Sequence, residues 1–101
     1  MNKVKITVLK RDLYKDLVEE YAANKSTPAC DMFEDGQVFI LDKADKPEDF
    51  CSWAWADLHR DIIAVNLGAT YSHWINRENT IIACCTDGLR PVTFKIEGIS
   101  E

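Results

Sequence analysis

At 101 residues, with 47% hydrophobic and 29% charged side chains, the chain is long enough for one domain with a real core and too apolar to be disordered. A formal net charge of −5 argues against nucleic acid as a main partner, because phosphate binding needs a basic face. No apolar run approaches the roughly 20 residues needed to span a bilayer. Met1-Asn2-Lys3 leads directly into strand patterning with no apolar leader core, so the expectation is a cytoplasmic protein with neither a membrane nor a nucleic acid as partner.

The elements follow in order. Residues 3–10 alternate, with Val4, Ile6 and Val8 on one side and Lys3, Lys5 and Thr7 on the other, which predicts a half-buried strand. Lys3, Lys5, Lys10 and Arg11 read as its solvated face. Residues 12–23 switch to helical spacing, with Asp12 as the candidate cap and Tyr14, Leu17, Val18 and Tyr21 as one stripe. Asn24 to Pro28 breaks that helix and leads to Cys30. Residues 37–42 predict a short buried strand after the turn Glu34-Asp35-Gly36.

The best helix begins at Pro47, a residue suited to the first helical position, with Glu48 and Asp49 favouring the positive end of the dipole. Cys51, Ala54, Trp55, Leu58, Ile62 and Val65 then recur at steps of three and four, and Gly68 supplies a stop. Residues 69–79 form a loop holding Tyr71, His73 and Trp74. A hairpin closes the chain, with strands over 80–85 and 92–97 around Asp87-Gly88. The order β-α-β-α-β-β predicts an α+β two-layer sandwich: a small, mostly antiparallel sheet with a long amphipathic helix packed on it. Two strand edges left open make a homodimer plausible.

Four cysteines fall at the borders of these elements: Cys30, Cys51, Cys84 and Cys85. In a reducing compartment such residues serve as metal ligands, catalytic thiols or small core hydrophobes rather than disulfides. Cys51 belongs to the start of the second helix, where orphan N–H groups favour an anionic sulfur. Cys84 and Cys85 are consecutive in a strand and point to opposite faces. Parity sends Cys85 inward with Ile81 and Ala83. Three sulfurs, Cys30, Cys51 and Cys85, thus become the candidate metal set, leaving one position open on zinc or on one iron of an iron–sulfur cluster. His59, His73, Asp31 and Asp87 are candidates for that fourth position, and Cys84 only if a bulge breaks strand parity. The separations, 21 residues from Cys30 to Cys51 and 34 from Cys51 to Cys85, match no standard ligand spacing.

Other residues bear on the same region. Trp53 lies off the helix stripe and either lines a pocket, marks an interface or packs in a second core layer. Asp57 and His59 sit on the solvated side of the helix and are candidates for proton transfer or for supporting the ligands from outside. Asp87-Gly88 is a turn signal, and Arg90, held extended before Pro91, offers a fork for a carboxylate or phosphate.

Cys30 with Phe33-x-x-Gly36-x-x-Phe39, Phe50-Cys51-x-Trp53-Ala54-Trp55-x-Asp57, and the stretch from Thr80 through Cys84-Cys85-Thr86-Asp87-Gly88-x-Arg90-Pro91-Val92 to Glu97 resemble a family of small uncharacterised prokaryotic proteins. That family is common in anaerobes and sometimes occurs as a repeated unit. The resemblance spans nearly the whole chain and brings no catalytic residues. It implies that Cys30, Cys51 and Cys85 form the sulfur set, with Cys84 variable. Some relatives place a histidine just after the first cysteine, where this chain has Met32-Phe33-Glu34.

Three expectations follow. The first is a cysteine-based metal- or iron–sulfur-binding accessory or small-ligand-binding protein of anaerobic redox metabolism, partnered by a redox enzyme or a small molecule. The second is a thiol-dependent redox enzyme with Cys51 as nucleophile, Cys85 as resolving thiol and Asp57 or His59 handling protons. The third is a structural or interaction module whose cysteines are core, with Trp53 and Trp74 marking the partner surface.

Overall fold

The computed structural model describes residues 2–100. Strand β1 (Lys3–Arg11) is followed by helix α1 (Lys15–Tyr21), strand β2 (Val38–Leu41), helix α2 (Ser52–Asn66), and strands β3 (Thr80–Cys84) and β4 (Val92–Ile99). The strands form one antiparallel sheet in the order β2-β1-β4-β3. The fold class is α+β, as the alternation and helical spacing predict. Strand alternation places Val4, Ile6 and Val8 of β1, Phe39 and Leu41 of β2, Ile81 of β3, and Val92, Phe94 and Ile96 of β4 in one core. Helix α2 covers this face with Ala54, Leu58, Ile62 and Val65, all buried. The opposite face keeps its charges, with Lys3 paired to Asp42 and Lys95 to Glu97. Strands β2 and β3 are the sheet edges. Among the described residues no helix is long and apolar enough to cross a membrane.

Helix α2 has 15 residues and starts later than the sequence suggests. Pro47 is not its first residue. Residues 47–50 form a turn closed by Phe50 N–H donating to the Pro47 carbonyl at 3.2 Å, and Cys51 is the N-cap. The turn drops the Phe50 ring into the core, and burying an aromatic ring outweighs one more turn of helix. At the other end the stop at Gly68 holds. Its φ is +94°, its N–H donates to the Val65 carbonyl and the Ala69 N–H to that of Ala64, which together form a Schellman cap.

Helix α1 is shorter than its periodicity implies. Asp12 and Tyr14 donate their N–H groups to the Pro91 and Leu89 carbonyls, so the chain stays extended where Asp12 was expected to cap. Of the stripe, only Val18 is buried, and Tyr14, Leu17 and Tyr21 are exposed. A helix of seven residues has too little length to seat a whole apolar face.

Asn79 ties the C-terminal end of α2 to the sheet. Its Nδ2 donates to the Val65 and Ala69 carbonyls at 3.0 and 2.9 Å, and its Oδ1 accepts from Asn2 Nδ2 at 2.7 Å. Its backbone carbonyl accepts from Gly98 N–H, and a Cβ on Gly98 would lie 1.6 Å from Asn79 Oδ1. Glycine is therefore required at 98 by this side chain. Asn79→Ala is expected to cost about 2–3 kcal/mol, the value of several part-buried hydrogen bonds. Gly98→Ala is expected to destabilise on its own, yet to cost much less when added to Asn79→Ala. Urea unfolding of the two single variants and the double variant checks this, and simple additivity would contradict the packing argument.

Candidate functional site

The site forms where the N-terminal end of α2 meets the Cys30 loop and the β3–β4 hairpin. Cys30, Cys51 and Cys85 all line one cavity of about 200 Å³, with Met32, Phe33, Trp53, Ala54, Asp87, Arg90 and Val92 completing its wall. All four cysteines are free thiols. Cys85 is buried, Cys30 and Cys51 are half-buried, and Cys84 is exposed.

Aromatic anchors place the first two sulfurs. Phe33, three residues after Cys30, and Phe50, immediately before Cys51, are both 2% exposed. Their rings meet edge-on at 5.1 Å, and each also contacts Phe39 and Phe94. The loop and the helix start are thereby fixed by rings adjacent to the thiols. Cys85 follows β3 and pairs with Val92: its N–H donates to the Val92 carbonyl at 3.0 Å, and Val92 N–H donates to Cys85 Sγ at 3.3 Å. Strand parity works as expected, since Cys85 joins Ile81 in the core while Cys84 and Ile82 face out.

Arg11 holds the Cys30 loop, and sequence reasoning assigned it a different place. Its Nη1 donates to the Cys30 and Phe33 carbonyls at 2.9 and 3.1 Å, and its Nε to Asp35 Oδ1 at 3.0 Å. On the sequence expectation Lys10 and Arg11 share the solvated face, although strict alternation from Val8 would turn Lys10 inward and Arg11 outward. A β-bulge at Leu9 shifts the register, so that Val8 pairs with Phe94, Lys10 with Thr93 and Arg11 with the inward Val92. The extra residue turns Arg11 toward the loop and Lys10 outward, where it meets Asp12.

Asp57 fixes the hairpin to α2. Its carboxylate accepts from Thr86 N–H at 2.7 Å and from the Thr86 hydroxyl at 3.0 Å, and that hydroxyl accepts from Trp53 Nε1 at 3.0 Å. Asp57 therefore acts on the residue next to Cys85. Trp53 is 66% exposed, which excludes the second-core-layer reading; it lines the cavity, and its exposure is equally compatible with an interface. Asp87 shapes the turn: Oδ1 accepts from the Leu89 and Arg90 N–H groups, and Oδ2 lies 3.5 Å from Arg90 Nε. Of the other candidates, His59 stacks on Trp55 at 5.2 Å, Asp31 and His73 are exposed, and none of these three lines the cavity.

Among the described residues, no group of three or more His, Cys, Asp or Glu side chains stands arranged to hold a metal ion. The three thiols share a cavity without forming a closed coordination group. Tyr71 lies outside this cavity. Burial and then the Asp61 carboxylate push its pKa up, against a smaller opposite effect of Arg60. A larger but more open groove runs beside β3, lined by Trp74, Ile75, Asn76, Arg77, Thr80 and Ile82, and it holds no thiol or carboxylate. No known protein family, curated protein or solved structure matches the chain.

Arg11→Ala is expected to free the Cys30 loop. Hydrogen exchange at residues 30–35 should accelerate, and alkylation of Cys30 should speed up relative to Cys85. Stability should fall by about 1–2 kcal/mol, the lower range for charge-assisted bonds because the site is part-exposed. Unchanged exchange in that loop would contradict the role given to Arg11.

Proposed function

We propose that the chain is a cysteine-based binding module, whose cavity takes a thiophilic metal ion such as zinc, or an iron–sulfur cluster, through Cys30, Cys51 and Cys85. The observation that carries this reading is the convergence of three unpaired thiols from a loop, a helix start and a strand end on one cavity. Cys30 and Cys51 are half-buried rather than sealed in the core, which favours this reading over one of plain core cysteines. The backbone N–H donated to Cys85 Sγ supports it, since such bonds tune ligating sulfurs. Size supports it as well: the cavity is smaller than the roughly 300–1,000 Å³ of ordinary metabolite pockets and suits an ion or a few heavy atoms. The chain would then serve a redox enzyme as an accessory protein, in a compartment that keeps thiols reduced.

A second reading rests on Cys51 as N-cap of α2, with no side chain capping the helix start. There the Cys51 thiolate would attack a disulfide substrate, and Cys85 would resolve the mixed disulfide, leaving a Cys51–Cys85 disulfide and a released dithiol.

Purification without exposure to air, followed by elemental analysis and an absorbance spectrum, tests the first reading. The expected result is stoichiometric zinc or iron, lost or weakened at least tenfold in Cys30→Ser, Cys51→Ser and Cys85→Ser and retained in Cys84→Ser. Metal-free protein that binds added Zn²⁺ or Fe²⁺ no better than its Cys30→Ser variant would sink it. A stoichiometric Cys51–Cys85 disulfide after mild oxidation would then favour the second.

A further inference from the structure

The cavity wall contains a cation that the sulfur chemistry does not use. Among the described residues, Arg90 is the one basic residue lining it. Its Nε lies 3.5 Å from Asp87 Oδ2, while among the described residues its two terminal nitrogens make neither a hydrogen bond nor an ion pair with the protein. Asp87 is at the same time committed to the turn, its Oδ1 accepting from two backbone N–H groups. The carboxylate thus orients the guanidinium without occupying its fork. The pair is part-exposed, with side chains 31% and 38% accessible, so solvent weakens both the hold of Asp87 on the arginine and its repulsion of a second anion.

Two further features favour the same charge. Trp53 and Ala54, in the first turn of α2, line the cavity, and among the described residues no side chain caps that helix start. A 15-residue helix directs its orphan N–H groups and the positive end of its dipole there. The remaining wall, Met32, Phe33 and Val92, is apolar and contributes no competing anion. Among the described residues, Asp87 is the single carboxylate on the wall.

We propose that the cavity is selective for a small oxyanion, best fitted by a carboxylate, bound by the Arg90 fork with its soft or electrophilic end toward the thiols. A guanidinium fork matches a carboxylate through two parallel N–H bonds. The size of the cavity limits the ligand to a few heavy atoms beyond that group. This inference rests on the reading of the cysteine cavity as a ligand site, and it holds whether or not a metal ion is part of that site.

Paired alkylating reagents test it, because iodoacetate and iodoacetamide differ little in size and differ in charge. The full chain, reduced, stripped with a chelator and checked for its folded near-ultraviolet spectrum, is treated with each reagent, and rates are mapped by mass spectrometry at each cysteine. Exposed Cys84, outside the cavity, is the internal reference. At the cavity cysteines the iodoacetate-to-iodoacetamide rate ratio is expected to exceed that at Cys84 by about fivefold or more, the factor that one contact charge pair supplies in water-like surroundings. The iodoacetate rate should saturate with concentration, and Arg90→Gln should remove both effects, with Arg90→Lys keeping part of the ratio. A ratio equal to that at Cys84, or one unchanged in Arg90→Gln, overturns the proposal. Elemental analysis of the untreated protein is scored separately. A metal-free chain with anion-selective thiols would overturn the metal reading alone, and a metal-bound chain without selectivity would overturn this inference alone.

Discussion

All four phenylalanines of the chain meet in one place: Phe33 from a loop, Phe39 from β2, Phe50 from the turn before α2, and Phe94 from β4. Ring centroids lie 4.9–6.1 Å apart, the range in which aromatic pairs attract through their edges and faces. Burial of each ring stabilises the fold by roughly 1.5–3 kcal/mol, so the cluster is a large share of a small domain's margin. Two of the rings neighbour cysteines in sequence. The same burial that holds the loop and the helix to the sheet therefore sets where Cys30 and Cys51 can be. Without it the loop from Ala22 to Gln37, which has no regular structure, would have no reason to bring a thiol to the start of α2.

The two ends of α2 are built differently. Its C-terminal end is closed by the Gly68 cap, by Asn79, and by reciprocal bonds between Asn2 and Asn66. Polar backbone groups there find protein partners. The N-terminal end, roughly 22 Å away at 1.5 Å per residue, begins at an uncapped cysteine and faces the cavity. One end is satisfied and packed; the other keeps donors, thiols and a guanidinium available. Separating rigidity from reactivity along one helix lets a domain of this size hold both.

Arg11 and Asp57 hold the site in place from outside the cavity wall. Each spends its charge on backbone groups beside a cysteine: Arg11 on the Cys30 and Phe33 carbonyls, Asp57 on the Thr86 N–H. These bonds anchor the segments that carry two of the three sulfurs. Asp87 does the same for the turn that presents Arg90. The charges of the site are thus partly structural, and Arg90 is the one on the cavity wall whose terminal donors are left over.

The sequence by itself determined where the strands run, the α2 stripe, the Gly68 stop and the inward face of Cys85, but not that β2, expected to be buried, is an edge strand with Val38 and Ile40 exposed. Each is a consequence of local periodicity, and burial follows period when one face is apolar. It also singled out the three cysteines, but only tertiary structure decided that they share a cavity, because nothing in separations of 21 and 34 residues encodes that meeting. The later start of α2 was decided by the core's demand for Phe50, a long-range term that outweighed the local signal of Pro47. Arg11 was misplaced for a subtler reason: one extra residue at Leu9 inverts the parity of everything after it, and a bulge has no signature in the alternation it interrupts. The shortness of α1 and the exposure of its stripe came from the pairing of residues 12–14 with 89–91, a contact across most of the chain. Local pattern fixes which face a side chain occupies; which faces then meet depends on packing between segments far apart in sequence.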